Sequence, residues 1–286
     1  MLLLMPLVHL LIFQYTPMYG LQMAFRSSMY ATDIYGGAWI GLDNFIRFFS
    51  LPSAKQIIWN TAYLGLYSFV AGFPIPILFA IAINETRNKH FAKTVQNVAY
   101  MPFFISTVVL VGMVMQVLDT RIGIVGLMGR VFSFEATNIL AKAEYFPSIY
   151  VWSGIWQGTG YSAIIYIAAL AGVSQELVEA CRIDGASKLQ KVWYVDIPHI
   201  APTMSLLLLL SFGSIMSIGF EKVYLMQNPL NIKTSEVINT YIYKVGLENI
   251  DFNFGSAVGL LNSLINTILL LVSNFIVKKF GHTSLW

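Results

Sequence analysis

Side chains that could do covalent chemistry are few in this sequence, and they do not combine into a catalytic set. The stretch GTGYS, Gly158–Ser162, resembles the loop of a serine nucleophile. Such a serine needs a base within hydrogen-bond reach. The apolar stretches of the chain offer it no aspartate, and His199 stands at the edge of one of them, in a different region. We therefore rank an intramembrane protease last among the candidate functions.

Metal, redox and nucleotide chemistry find no support in the sequence either. The histidines show no metal-ligand spacing: His9, His90, His199 and His282. Cys181 is the only cysteine, so no internal disulfide can form. The phosphate-binding pattern G-x-x-x-x-G-K-[ST] is absent, so we expect the chain to bind neither ATP nor any other cofactor by itself.

Composition points to a lipid environment. Of the 286 residues, 57% are hydrophobic and 11% are charged, and the mean hydropathy is +0.67. Soluble domains usually carry about 25% charged residues. The net charge of +3 is too small to indicate a nucleic-acid partner. The sequence thus predicts a membrane protein, whose apolar helices must position any site.

Six stretches are long and apolar enough to cross a bilayer, since a helical span needs roughly 20 residues. They run from about Leu2–Met23, Ile57–Asn84, Val98–Leu118, Ser148–Val173, Ala201–Phe220 and Phe252–Val277, and none holds Lys, Arg, Asp or Glu. Gly72, Pro74 and Pro76 predict a kink in the second. The expected fold class is all-α: a single polytopic domain over residues 1–286 with six transmembrane helices.

The first stretch could be a retained helix or a signal peptide. Its first basic residue, Arg26, follows the apolar run, and no small-residue cleavage site is evident. We expect a retained helix. A short basic leader before Met1 is a further expectation.

Six spans place both ends of the chain on one side of the membrane. The loop Asn84–Asn97, the polar stretch from Glu179 and the tail after Val277 together carry eight Lys or Arg. The other loops carry nine, over nearly twice the length and balanced by nine acids. The denser first set, with its short basic loop Arg87–Lys93, is therefore predicted to be cytoplasmic, and with it both termini.

A polar stretch between the fourth and fifth spans, EACRIDGASKLQKVWYVDIP (Glu179–Pro198), predicts two short helices. Ser174 can cap the first helix. Its early turns hold Glu176 and Glu179, where acids suit the helix dipole. Gly185 can take the left-handed turn that ends it.

The second helix is predicted to begin with a capping box of Ser187 and Gln190 and to end at Pro198. Its apolar face, at i, i+3, i+4 spacing, consists of Leu189, Val192 and Trp193. An exposed apolar face rimmed by charge marks either a partner surface or a segment that lies on the lipid surface. The physics of the stretch leaves both open.

The same stretch resembles the EAA signature of permease subunits of bacterial binding-protein-dependent ABC importers, written E-A-A-x-x-D-G-A, nine residues, then I-x-L-P. The matching residues are Glu179, Ala180, Asp184, Gly185, Ala186, Val195, Ile197 and Pro198, with Cys181 in place of the third Ala. Other stretches resemble sugar permeases related to the maltose transporter, in their polysaccharide or complex-oligosaccharide subgroup. These are Tyr19–Ser27, Trp39–Phe49, Phe220–Pro229, Thr234–Leu247 and the tail Gly281–Trp286.

The resemblance implies a type I ABC importer permease fold, in which residues 174–198 form a coupling loop that docks in a groove of a cytoplasmic ATPase. It implies polar contacts by Glu179, a bend at Gly185, and packing by Leu189 and Trp193. Trp193 could instead anchor at the lipid interface. The implied partners are a second homologous permease, two ATPase subunits that bind ATP and Mg, and an extracellular solute-binding protein.

The substrate path implied by the resemblance runs between the fourth and fifth spans. Sugars need hydrogen-bonding groups and aromatic surfaces. The expected lining residues are Trp152, Trp156, Gln157, Gly158, Tyr161, Ser211 and Ser214, the last two on one helix face with Ser217. Ile215 and Ile218 replace amides of the related sugar permease, which implies that the partner permease contacts more of the sugar. The alternative for each lining residue, and for Asn60, Asn262 and Asn266, is plain helix packing.

The expected function is therefore that of an ATP-driven importer permease, not itself an enzyme, for oligosaccharides or polysaccharide fragments. A non-sugar cargo, such as a peptide or a sugar phosphate, is the alternative. A secondary carrier is less favoured, because no Asp, Glu, Lys or Arg lies within a predicted span.

Overall fold

The protein is predominantly helical in the residues that the computed structural model describes, which are 3–27, 37–132 and 138–279. Its α-helices in these residues are α1 Leu4–Leu10, α2 Asp43–Ser50, α3 Ala54–Gly72, α4 Pro74–Asn84, α5 Lys89–Tyr100, α6 Thr107–Leu118, α7 Ile124–Phe132, α8 Phe146–Leu170, α9 Gln175–Ile183, α10 Lys188–Lys191, α11 Ile197–Gly213, α12 Phe220–Met226, α13 Ile232–Ser235, α14 Ile238–Tyr243 and α15 Phe252–Lys279. Short π-helices cover Leu11–Tyr15, Val192–Asp196 and Lys244–Glu248, and 3₁₀-helices cover Thr16–Phe25, Met101–Phe104 and Ile139–Ala141.

Three helical runs are long and apolar enough to cross a membrane. They are Ala54–Asn84, Lys188–Gly213 and Phe252–Phe275. Two further pairs qualify only when taken together, because each is bent: Lys89–Phe104 with Thr107–Leu118 by 102°, and Phe146–Leu170 with Gln175–Ile183 by 78°. Over the described residues the structure thus contains three candidate spans, or up to five, where the sequence predicted six.

The predicted spans that differ do so for identifiable reasons. The first is helical over Leu4–Phe25 but passes from α to π to 3₁₀ geometry, and it is not among the candidate spans. The third is a bent pair of helices rather than one continuous helix, because the backbone is extended at Ile105 and Ser106. The Ser106 side chain then starts α6 by accepting from the N–H of Val109 at 3.4 Å. The fifth ends at Gly213, seven residues before the predicted end at Phe220.

The second predicted span is one helical run despite its two prolines. Helices α3 and α4 meet at Phe73, whose dihedrals stay helical (φ −66°, ψ −46°) and whose N–H donates to Phe69 O at 2.9 Å. Pro74 and Pro76 stand in the first turn of α4, where a missing N–H costs little. The predicted kink region is therefore a junction that leaves the span continuous.

Helix α8 is the centre of the bundle and packs against α3, α4, α5 and α11. Two glycines bring backbones into contact around it. A Cβ added at Gly160 would stand 2.1 Å from Ala99 O, and one at Gly65 would stand 2.0 Å from Ile215 O. No larger residue fits at either place, so these contacts fix α8 against α5 and α3 against the segment after α11.

Short helices close the end of the bundle at which α3 and α8 begin. There Asn60 donates to the carbonyls of Lys233 (3.0 Å) and Glu236 (2.9 Å), and Arg47 pairs with Asp251 at 2.8 Å. Asn60 thus has a role in helix packing, which was the alternative interpretation of this residue in the sequence analysis. The opposite end of α8 leads through a short turn into α9.

Candidate functional site

Residues 174–198, here called the coupling segment, form a helix–turn–helix that follows the C-terminal end of α8. Helix α9 leaves α8 at 78°, with Glu176 in its first turn, and Glu179 accepts a weak hydrogen bond from Gln175 Nε2 at 3.4 Å. The prediction that Ser174 caps this helix with its side chain was wrong. Ser174 occupies the cap position, but only its backbone carbonyl bonds into the helix, to Val178 N, and the exposed first turn meets water.

Gly185 ends α9 with the bend that the sequence predicts. Its φ is +70°, and an added Cβ would meet nothing within 4 Å, so the requirement for glycine is conformational. The N–H of Ala186 donates to Cys181 O at 2.9 Å and that of Gly185 to Arg182 O at 3.2 Å. This pair of bonds is the Schellman motif, which satisfies the last carbonyls of the helix. Asp184 is the C-cap residue and is exposed.

The second helix of the coupling segment begins with the predicted capping box. Gln190 N–H donates to Ser187 Oγ at 3.3 Å, and Ser187 N–H donates to Gln190 Oε1 at 2.7 Å. The prediction that Pro198 ends this helix was wrong. The chain continues through the π-helix Val192–Asp196 into α11, with Pro198 in the first turn of α11. The wider π turn accommodates the missing N–H of a proline and the clash of its ring.

Apolar side chains of the coupling segment face outward. Leu189 is 72% exposed and Trp193 is 65% exposed, whereas Val192, the third predicted member of this face, is 9% exposed and packs inward. Ile183 and Tyr194, which the sequence reasoning missed, are 86% and 79% exposed. Their apolar side chains inside a polar-rich stretch were the sequence feature that could have predicted this exposed surface. Such a face, surrounded by charge, suits a partner's groove.

A buried charge cluster ties the coupling segment to the C-terminal end of α4. Lys191 Nζ stands 2.5 Å from Glu85 Oε1 and 3.2 Å from Asp196 Oδ2, and Lys188 Nζ lies 3.4 Å from Glu85 O. Asp196 is completely buried, and within the described residues its oxygens have no polar partner besides Lys191. The cluster places the loop after α4 and the coupling segment at the same end of the bundle, as the predicted topology requires.

A cavity of about 570 Å³, here called the central cavity, lies between α3, α4, α8, α11 and the turn after α11. Serine hydroxyls and aromatic rings line it, including the predicted residues Tyr161, Ser211 and Ser214. An adjoining cavity of about 340 Å³, the side cavity, contains the predicted Gln157 and Gly158. The two share wall residues: Ser68, Gly72, Pro76, Tyr150 and Ser162. The oxygen of Ser68, in the wall that they share, is buried and has no hydrogen-bond partner among the described residues.

The two predicted tryptophans lie elsewhere. Trp152 donates through Nε1 to Tyr67 Oη at 3.0 Å, and Trp156 lines a separate groove of about 480 Å³ beside α5. Gln157 also has a structural partner, because its Nε2 donates to Ile105 O at 2.9 Å, at the bend before α6. Tyr161 stacks on Phe103 with ring centroids 3.8 Å apart.

The turn Ser214–Gly219 replaces the helix face on which three serines were predicted to align. Asn266 holds this turn, since its Oδ1 accepts from Met216 N at 3.1 Å and its Nδ2 donates to Ser217 Oγ at 3.0 Å. Ser211, Ser214 and Ser217 still reach the same central cavity. The three serines therefore share a cavity, although not through the helical spacing from which the prediction was made.

Lys222 on α12 is a cavity residue that the sequence reasoning missed. It lines the side cavity, donates to Tyr150 O at 2.8 Å and lies 4.8 Å from the centroid of the Tyr150 ring. Burial lowers the pKa of Lys222 to about 8. The lysine in FEKVYL, next to Glu221 and directly after a long apolar run, was the signal in the sequence. Among the described residues, no group of three or more His, Cys, Asp or Glu is placed to hold a metal ion.

A helical membrane bundle with a hydroxyl-lined cavity and an exposed helix–turn–helix at one end defines a solute permease that another protein can drive. The family described as the inner membrane component of binding-protein-dependent transport systems matches residues 72–282, and the chain belongs to this family. It is therefore the membrane component of such a system rather than a catalytic subunit.

Known relatives match almost the whole chain. It is 35% identical, over 98% of its length and 87% of the relative's, to the polygalacturonan/rhamnogalacturonan transport system permease protein YteP of Bacillus subtilis (strain 168). A bacterial ABC transporter involved in the import of the acidic polysaccharide alginate contains a chain that matches with a TM-score of 0.90 and 35% identity, covering 97% of this chain and 94% of that one.

A second structure, of a bacterial alginate ABC transporter in complex with an alginate pentasaccharide-bound periplasmic protein, matches with a TM-score of 0.91 and 34% identity over 99% of this chain and 95% of that one. The predicted all-helical polytopic permease fold and the resemblance to ABC importer permeases are confirmed. The resembling tail Gly281–Trp286 lies outside the described residues.

Proposed function

We propose that this chain moves oligosaccharides released from polysaccharides across the bacterial cytoplasmic membrane, as one of two permeases of an ATP-driven importer. The observation that carries this proposal is the match along nearly the full chain, at 34–35% identity, to permeases whose systems import polysaccharide material. An oligosaccharide cargo, similar to that of these relatives, fits the polar, partly aromatic lining of the central cavity.

The energy of ATP hydrolysis reaches the permease through the coupling segment. The exposed side chains of Leu189 and Trp193 pack in the groove of an ATPase subunit, and Glu179 makes polar contacts at its edge. Asp184 and Gly185 fix the bend, and Ala180, Ala186 and Pro198 belong to the same ATPase-coupling set. Two ATPase subunits bind ATP and Mg and supply the energy. Both termini and the coupling segment lie in the cytoplasm, where the dense set of Lys and Arg belongs.

The cargo passes the residues that the two cavities bring together: Gln157, Gly158, Tyr161, Ser211 and Ser214. Hydroxyl and amide groups replace water around the sugar, and the Tyr161 ring offers an apolar face. Trp152 and Trp156 lie outside these cavities and have no assigned contact with the cargo. A second permease completes the path, and an extracellular binding protein delivers the sugar.

Reconstitution of the whole importer into lipid vesicles tests the proposal. Labelled trigalacturonate, presented by the system's own binding protein, should accumulate in vesicles that contain Mg-ATP. Vesicles with ADP, or with a non-hydrolysable ATP analogue, should show no accumulation. Equal uptake under all three conditions would mark a secondary carrier, and ATP-dependent uptake of a peptide or glycerol phosphate but of no oligosaccharide would mark another cargo.

A further inference from the structure

The ammonium of Lys222 is a cation at the wall of the side cavity with only part of its bonding capacity used. Helix α12 brings it against the first turns of α8, where it donates to Tyr150 O at 2.8 Å. One turn further along α8, a Cβ added at Gly154 would stand 3.1 Å from Nζ. Lysine carries three N–H donors. The contact with Tyr150 O is the one hydrogen bond that Lys222 makes in the described structure, which leaves two donors.

The other partly buried lysines of the described residues show how unusual this arrangement is. Lys191 pairs with Glu85 and Asp196, and Lys244 pairs with Glu236 at 2.7 Å. Lys222 takes part in no ion pair within 4.0 Å in the same set of residues. A buried ammonium without a counter-charge is costly. The lowered pKa of Lys222 has the same cause. An anion that enters the cavity would relieve this cost.

Groups around Lys222 match a sugar acid better than an inorganic ion. The side cavity also contains the amide of Gln157 and the hydroxyls of Thr159 and Ser162, and it opens into the serine-lined central cavity through shared walls. A ligand with one carboxylate per ring and several hydroxyls would meet both a cation and neutral polar groups in this cavity. Its position near the N-terminal end of α8 places Lys222 at the end of the cavities remote from the coupling segment.

We propose that Lys222 binds a carboxylate of an acidic oligosaccharide at the entrance of the path, so that this permease favours uronate-containing oligosaccharides over neutral ones. The inference rests on the proposed function, an oligosaccharide importer, and adds the substrate's charge and the residue that recognises it. Lys222 acts on the cargo by direct contact, as a binding residue.

Competing uptake of two matched probes tests the inference in vesicles that carry the whole importer. The probes are trigalacturonate and its fully methyl-esterified form, which has the same rings and no charge. Lys222→Met should raise the KM for trigalacturonate about tenfold, because a charge-assisted hydrogen bond is lost. It should leave the KM for the ester within about twofold. Lys222→Arg should keep most of the preference for the acid, because the positive charge remains.

A control variant, Lys55→Met, removes an exposed lysine in the first turn of α3, at the same end of the bundle. It should change neither KM. If Lys222→Met lowers uptake of both probes equally, Lys222 only supports the Tyr150 carbonyl and the inference is overturned. Wild-type vesicles that carry only the ester would overturn it too, while the proposed function would stand. If wild-type vesicles take up neither probe in the presence of ATP, both the proposed function and the inference are overturned.

Discussion

In the coupling segment Lys191 stands between two carboxylates, whereas in the side cavity Lys222 faces hydroxyls and one backbone carbonyl. The helix ends of the coupling segment are closed by a Schellman motif and a capping box. The turn Ser214–Gly219 beside the central cavity is instead held from a distance by Asn266. The first region satisfies its polar groups internally and exposes apolar surface. The second keeps polar groups open to a cavity.

This difference matches two kinds of partner. A segment that transmits a conformational change from one protein to another needs a fixed shape and an apolar contact surface. A path for a hydrated solute needs polar groups that are free to exchange water for the solute, at some cost to stability. The comparison therefore predicts that changes in the coupling segment act through shape and assembly, while changes in the cavities act through affinity.

The largest effect is expected for Lys191→Met. The variant leaves the fully buried Asp196 carboxylate without its partner, and breaking such a pair costs about 3–5 kcal/mol of folding free energy. The thermal midpoint of the purified permease complex in detergent should fall clearly. Lys188→Met is the matched control, because Lys188 is exposed and reaches only a carbonyl at 3.4 Å. Equal shifts for both variants would show that the cluster does not tie the segment to α4.

A smaller effect, confined to assembly, is expected for Leu189→Asp and Trp193→Ala. Both side chains are exposed, so folding should be unaffected, but an apolar anchor at the centre of an interface is often worth about 2 kcal/mol or more. Co-purification of the ATPase subunits should drop for each variant.

The control for this pair is Ile122→Asp, an exposed apolar residue between α6 and α7, which should retain the ATPase. If Trp193→Ala keeps the full complement of ATPase but loosens membrane association of the segment, Trp193 is a lipid anchor and the interface assignment fails for it.

The smallest effect is expected for the double variant Ser211→Ala with Ser214→Ala in the central cavity. A neutral hydrogen bond contributes about 0.5–1.5 kcal/mol, so the KM for the transported oligosaccharide should rise about two- to tenfold for each hydroxyl that contacts the sugar, with little change in kcat. Ser263→Ala, at an exposed hydroxyl on α15, is the control. A fall in kcat with unchanged KM would place these serines in the conformational change rather than in the path.

Local sequence was sufficient to predict the turn of the coupling segment and the start of its second helix. The bend at Gly185 and the capping box of Ser187 and Gln190 depend on residues within four positions of each other, and both are present. The end of the second helix was mispredicted, because a π turn before Pro198 relieves the clash that a regular α-helix would suffer. The π turn brings the buried Asp196 beside Lys191. Lys191 also pairs with Glu85 at the end of α4, and this tertiary contact is not visible in the local sequence.

The features that the sequence did not predict depend on partners far along the chain. Glu85 and Lys191 are 106 positions apart, Tyr150 and Lys222 are 72 apart, and Asn266 holds Met216 across 50. Hydropathy marks the apolar run through Ser214–Gly219 but cannot mark where its helix ends, because the amide that replaces the helical bonds comes from α15. The residues that line the cavities were predicted through family resemblance, and for Trp152 and Trp156 the prediction did not match the structure.

The most direct test of the central claim, that an ATPase drives this permease through the coupling segment, uses two equally strained glycine variants. Gly185 (φ +70°) and Gly41 (φ +61°) both have open space where a Cβ would stand, so Gly185→Val and Gly41→Val introduce the same kind of backbone conflict in two different places. ATP-dependent uptake of trigalacturonate should fall at least about tenfold for Gly185→Val, in complexes that still assemble in the membrane, and should stay near wild type for Gly41→Val. Wild-type uptake by Gly185→Val would contradict the account.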